Sequence, residues 1–175
     1  SSLSVFTFNT SGELILRRDF TASELASKSA TFSLPKSAAG TECSFYAVAN
    51  YDASSAKTRS ALTVLVEKSA GAYNGTFADV STKALRSGGF VMAGSTTKTV
   101  GAVNTSTQVG ISMKRTVAKV ALQTTVAPEF SEKYPGSITI NSVKLSRAAS
   151  QSLVVAGAPS TGAMTYTHTQ TPGTD

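Results

Sequence analysis

Residues 109 to 126 read Val-Gly-Ile-Ser-Met-Lys-Arg-Thr-Val-Ala-Lys-Val-Ala-Leu-Gln-Thr-Thr-Val, two alternating apolar patterns joined out of phase at a dibasic pair. Val109, Ile111 and Met113 share one face of an extended chain, whereas Ala118, Val120, Leu122 and Val126 share a face of opposite parity. A slip of one residue turns every side chain to the other side of a sheet. Either a bulge or a turn must therefore sit near Lys114-Arg115. A bulge bends a strand and increases its twist, so one long strand can leave one sheet of a sandwich and enter the other. The pattern points to a β-sandwich, a fold whose loops and edges suit binding and assembly.

The rest of the chain reads mostly as strands. Leu3–Phe8 and Glu13–Arg18 flank Asn9-Thr10-Ser11-Gly12, a hairpin with Asn and Gly at its turn. Thr21-Ala22-Ser23-Glu24 has capping-box spacing ahead of a single helical turn, and Thr31–Leu34 reads as a short strand closed by Pro35. Ser44–Ala49 is almost continuously apolar, as expected of a strand buried on both faces. Between Thr58 and Glu67, Ala61, Leu62, Leu65 and Val66 fit helical spacing despite the β-branched Thr63, Val64 and Val66. A second helix is expected from an Asn74 cap through Phe77, Val80, Ala84 and Leu85 to a stop at Gly88-Gly89. Strands resume at Phe90–Ala93 and Thr97–Val103, and again at Ser137–Ile140 and Val143–Leu145, with another parity slip at Asn141-Ser142. After Val155 the chain turns to Gly, Ala, Pro, Ser and Thr, with Met164 and Tyr166 as its large apolar residues. Such a tail reads as a linker or the start of another domain.

At 175 residues with a formal charge of +6, the chain suits one well-cored domain and invites a test for polyanion binding. The cations are scattered, and the pairs Arg17-Arg18 and Lys114-Arg115 lie far apart with no interleaved aromatics, so they read as solvated strand faces and no nucleic-acid partner is expected. No apolar run is long enough to cross a bilayer as a helix. No leader precedes Ser1, so a signal peptide is expected to have been removed or to lie outside this sequence.

Catalytic constellations are not legible. Cys43 is the single cysteine and reads as a small buried hydrophobe. His168, the single histidine, falls in the polar tail, and the nearest carboxylate pair, Glu129 and Glu132, sits in a loop bracketed by Pro128 and Pro135. There is no phosphate-binding glycine motif and no Cys/His metal set. No enzyme activity and no cofactor are expected. Asn9, Asn74 and Asn104 begin Asn-X-Thr/Ser triplets, about as many as chance gives in a chain so rich in Ser and Thr.

From residue 3 to residue 155 the order of these motifs resembles the Bacteroidales-type fimbrillins, the subunits of type V pili. The resemblance is carried by Leu3–Gly12, Phe45–Asn50, Phe90–Gly94, Met113–Ala121 and Ile138–Leu145. It implies a mainly β fold, a transthyretin-like Greek-key β-sandwich of about seven strands with one or two short helices in a long connection. That domain is expected over residues 1–156, with 157–175 as a linker or the start of a second domain.

The resemblance also implies a lipoprotein precursor exported to the outer membrane, a trypsin-like protease that removes an N-terminal strand, and a groove that then accepts a donor strand from another subunit. The chain departs from that pattern in lacking the lipid-bearing Cys and in stopping where a second domain is expected, so a membrane link is expected only through a precursor anchor. The groove is expected beside Leu3, Val5 and Phe8 and along Val117, Val120 and Leu122, and Arg17, Arg18, Lys114 and Arg115 are the candidate protease sites. The expected function is a structural subunit of a cell-surface fimbrium that supports adhesion, with other fimbrial subunits as partners. The alternative is a tip adhesin or surface module that binds a host glycan or protein through loops such as Pro128–Pro135 or Asn50-Tyr51-Asp52.

Overall fold

The computed structural model describes residues 1–68, 89–118, 120, 122, 124–149 and 151–155, and the backbone of 166–170. The strands are β1 (Leu3–Phe8), β2 (Leu14–Asp19), β3 (Glu42–Ala49), β4 (Val66–Lys68), β5 (Met92–Thr99), β6 (Lys114–Arg115), β7 (Val143–Ala148), β8 (Gln151–Leu153) and β9 (Tyr166–Gln170). Helical structure is short: α1 (Ala22–Ser27), a 3-10 turn (Lys36–Ala38), α2 (Arg59–Thr63) and α3 (Phe130–Lys133). The main sheet is antiparallel, in the order β2-β1-β3-β5-β6, and is joined by two ribbons, β4-β8 and β7-β9.

The opening hairpin forms where the turn residues place it. Asn9 accepts the Glu13 amide on its side chain at 2.9 Å, and Gly12 takes a φ of +81°, open to glycine at little cost. Pairing steps from Thr7↔Leu16 to Phe8↔Leu14, so Ile15 is the extra residue of a bulge. The capping box is also present: Thr21 Oγ1 accepts from the Glu24 amide, and Glu24 accepts the Thr21 amide at 2.7 Å.

Register divides the core. Phe6, Tyr46, Val48 and Ala93 fall on one face of the main sheet, where Phe6, Phe8 and Val48 pack with Ala53, Ala56, Leu62, Val91 and Val154. Phe6 and Phe8 stack with centroids 6.4 Å apart, and Tyr46 meets Phe8 edge-on at 5.7 Å. On the opposite face Cys43 and Phe45 are buried with Ala38, under Leu34, Val100, Val109 and Ile111. β3 is thus covered on both sides, as its sequence predicts.

Several expected elements differ. Thr31–Leu34 alternates correctly, with Phe32 and Leu34 half-buried, but it finds no ladder partner among the described residues and is not a strand. The helix expected over Thr58–Glu67 shrinks to the five residues of α2, capped by the Thr58 hydroxyl, because its β-branched end enters β4 and pairs with β8. Phe90–Ala93 and Thr97–Val103 are not two strands: β5 runs unbroken through Gly94–Thr96, held in register by β3 from Glu42 to Ala49. Ser137–Ile140 is irregular and exposed. Within the expected linker, Tyr166–Gln170 forms β9 against β7. The second helix, Asn74 to Gly88, lies outside the described residues.

Candidate assembly surface

The out-of-phase segment changes role at its dibasic pair. Ahead of it, Val109 and Ile111 lie on the Cys43–Phe45 face as a strap over β5. Gly94 makes this possible: a methyl group there would collide with the Ser112 carbonyl and would come within 3.1 Å of Ile111 Cγ2. Lys114 and Arg115 then pair as β6 with Ala93 and Met92, and Thr116 donates its amide to the Val91 carbonyl at 3.1 Å before the chain bends away.

Past that bend, the expected second strand of the segment is not found among the described residues. Val117 is half-buried, whereas Val120 is 76% exposed, Leu122 64% and Val126 54%. Ile138, Ile140 and Leu145 are exposed as well. Between β6 and β7 the described residues pair in no ladder, so these alternating apolar side chains stand in water after an edge strand, β6, of only two residues.

The candidate groove residues are not brought to one place. Leu3 and Val5 lie on the strap face, Phe8 lies in the opposite core, and β1 is hydrogen-bonded on both sides, by β2 and by β3. β1 therefore offers no free edge; the edges of the main sheet are β2 and β6. Of the candidate positions, Val117, Val120 and Leu122 are those that follow the edge strand β6 in the chain.

The four candidate protease residues differ in how they are held. Arg17 forks onto Asp19 through Nε at 3.1 Å and Nη2 at 2.9 Å, and its guanidinium lies 5.9 Å from the Phe6 ring centroid. Arg18 bridges β2 to α1 through Glu24 at 2.7 Å. Lys114 and Arg115 are exposed, the latter over the Phe90 ring at 5.4 Å. A hydrogen bond from the Ser4 hydroxyl, with further help from Arg17 and Arg18, holds the Asp19 carboxyl below its usual range despite partial desolvation.

Sequence reasoning missed two positioning residues. Gly94 carried no turn signal. Asn50 adopts φ +59° after β3, accepts the Ser2 amide at 3.1 Å and donates to the Phe90 carbonyl at 2.7 Å, so it clamps the ends of β1, β3 and β5 together. An Asn after an apolar strand is a turn signal, and it was the available clue. Among the described residues no group of acidic, His or Cys side chains is arranged to hold a metal ion, and no helix is long and apolar enough to cross a membrane.

The main sheet thus ends on a two-residue edge strand, β6, and is followed in the chain by exposed, alternating apolar side chains. The family model of the major fimbrial subunit protein (FimA) matches residues 1–147. No curated protein and no solved structure matches the chain. The family is a structural one whose place is the cell-surface fimbrium, and its members assemble with other fimbrial subunits. With most of its length covered by that match, the chain belongs to the major fimbrial subunit family.

Proposed function

We propose that the chain is a structural subunit of a type V pilus that joins its neighbours by protease-triggered donor-strand exchange. In this reading a transthyretin-like Greek-key sandwich is completed when another subunit supplies a strand. A lipoprotein precursor carries the subunit to the outer membrane, and the assembled fimbrium supports adhesion. The observation that supports the reading is the exposed series Val120, Leu122 and Val126 that follows the two-residue edge strand β6 in the chain. Burying three such side chains at about 2 kcal/mol each gives roughly 6 kcal/mol before the entropy of ordering the strand is subtracted. Ladder hydrogen bonds along the β5–β6 edge would set its register.

Limited digestion of the full-length secreted precursor with a trypsin-like protease tests the reading, with unboiled gel electrophoresis and electron microscopy as readouts. Ladders or filaments are expected only after cleavage. Leu122→Asp should block them and leave the thermal stability of the monomer unchanged, because Leu122 is exposed before assembly. A cleaved precursor that stays monomeric, or an L122D variant that polymerises normally, overturns it.

A further inference from the structure

At the end of the main sheet away from the hairpin turn, the start of β1, the end of β2 and the residues after β3 line an open cleft of about 460 Å³, within the range of small-ligand sites. Its polar wall carries Arg17, Asp19, Asp52 and Ser4, and Phe20 and Tyr51, both half-buried, supply aromatic surface. The polar groups are set in place by the fold. Asp19 accepts the Ser4 hydroxyl at 2.6 Å and both Arg17 nitrogens, while Asp52 is tied within its own turn to the Ser54 amide at 2.9 Å. Asn50 locks the strand ends behind them.

We propose that this cleft binds a neutral saccharide. The argument is one of donors, acceptors and charge. Two carboxylates accept hydrogen bonds and cannot donate, and one guanidinium donates and cannot accept. A hydroxyl group does both, so a ring with neighbouring hydroxyls can donate to Asp19 and Asp52 while accepting from Arg17. Arg17 and Asp19 neutralise each other in their ion pair, so the wall is left with the one net negative charge of Asp52, which disfavours an anion and lets a neutral polyol use every donor and acceptor. The C–H faces of a sugar ring match the aromatic surface of Phe20 and Tyr51. Preorganisation by the Asn50 clamp and by the Arg17–Phe6 contact lowers the entropy lost on binding.

Ligand-observed saturation-transfer NMR on the monomeric domain tests the proposal with neutral hexose and N-acetylhexosamine oligosaccharides, sialylated and sulfated sugars, and a Lys-rich peptide as probes. Neutral sugars are expected to show transfer, with Asp52→Asn weakening binding by about tenfold or more, the loss of one charge-assisted hydrogen bond. Asp52 is exposed and D52N keeps an acceptor for the Ser54 amide, so its melting temperature should match wild type; Lys57→Ala, outside the cleft, should bind normally. Transfer to no neutral sugar, binding confined to a charged probe, or D52N binding as wild type overturns the proposal. The assay reads the monomer, so its failure is separate from any failure of strand exchange.

Discussion

Gly94→Ala separates the strap geometry from ordinary strand energetics, because the two predict opposite signs. Glycine inside a strand is normally worse than alanine by roughly 0.5–1 kcal/mol, so on an open strand G94A would stabilise the protein. Here the new methyl would stand 2.9 Å from the Ser112 carbonyl carbon and 3.1 Å from Ile111 Cγ2, and would collide with the Ser112 oxygen. Its neighbour is backbone, which cannot rotate aside as a side chain can. Overpacking of this kind costs about 1–3 kcal/mol. If the strap lifts instead, Val109 and Ile111 lose their partial burial at about 1 kcal/mol each, and Cys43 and Phe45 are uncovered beneath them. Once the strand preference is subtracted, either route leaves a net destabilisation of roughly 1 kcal/mol, and at most about 2.5.

Urea denaturation measures that loss, and Cys43 tells the two routes apart. The thiol is 1% exposed in the folded protein, so a thiol reagent should label it slowly. Strap release predicts faster native-state labelling in G94A; a compressed but seated strap predicts lost stability with Cys43 still protected. A G94A protein as stable as wild type or more so, with unchanged labelling, refutes the reasoning, for it would mean that Ser112 does not press on β5.

Thr7 is fully buried and its hydroxyl finds no partner among the described residues, so Thr7→Val should raise stability by about 1 kcal/mol in the same urea assay; a loss would show that the hydroxyl is satisfied. Asp19 has a folded-state pKa below its unfolded one, so its contribution is present at neutral pH and disappears as the pH falls below about 4. Asp19→Asn should lower stability at pH 7 by less than about 1 kcal/mol given the solvent screening, and the gap to wild type should narrow as the pH falls below about 4. A gap that does not narrow on acidification would mean that it does not arise from ionisation. Brief trypsin treatment followed by mass spectrometry should find the first cuts after Lys114 or Arg115, because β6 is two exposed residues, whereas Arg17 and Arg18 sit in a six-residue strand with their side chains in ion pairs. First cuts within β2 would refute that ranking.

What was legible in the sequence is what neighbours along the chain decide. The Asn9–Gly12 turn, the Thr21–Glu24 capping box and the two-sided burial of β3 depend on residues a few positions apart, and each forms as expected. What failed depends on a distant partner. Thr31–Leu34 has a strand's alternation and no ladder partner among the described residues, whereas Gly94–Thr96, the expected break between two strands, is strand because β3 holds it in register. The β4 residues had helical spacing until Gln151–Leu153 gave them a ladder. The candidate site divides in the same way. The apolar alternation at Val120, Leu122 and Val126 was readable, but not its exposure, and the cleft joins Arg17 and Asp19 of β2 to Asp52 in the loop after β3, a pairing that no local pattern links.

The two edges of the main sheet are not equivalent, and the difference bears on the direction of growth. An incoming strand at β2 would meet Arg17 and Arg18 held in ion pairs and the bulge at Ile15, which twists that strand out of regular pairing. Charge and bulges are the usual protection of an edge against adventitious strands. At the other edge, β6 pairs for two residues and leads into chain whose apolar side chains face water with no charge directly at Val120, Leu122 or Val126. A stable monomer gains nothing from such an exposed run, which carries a risk of aggregation. Guarding one edge while leaving the other open is therefore coherent if the open edge has a designated partner. Strand addition at the β5–β6 side would also leave the polar cleft accessible, since the cleft is built on β1, β2 and the end of β3. Assembly and ligand binding then occupy separate parts of one sheet, and neither need displace the other.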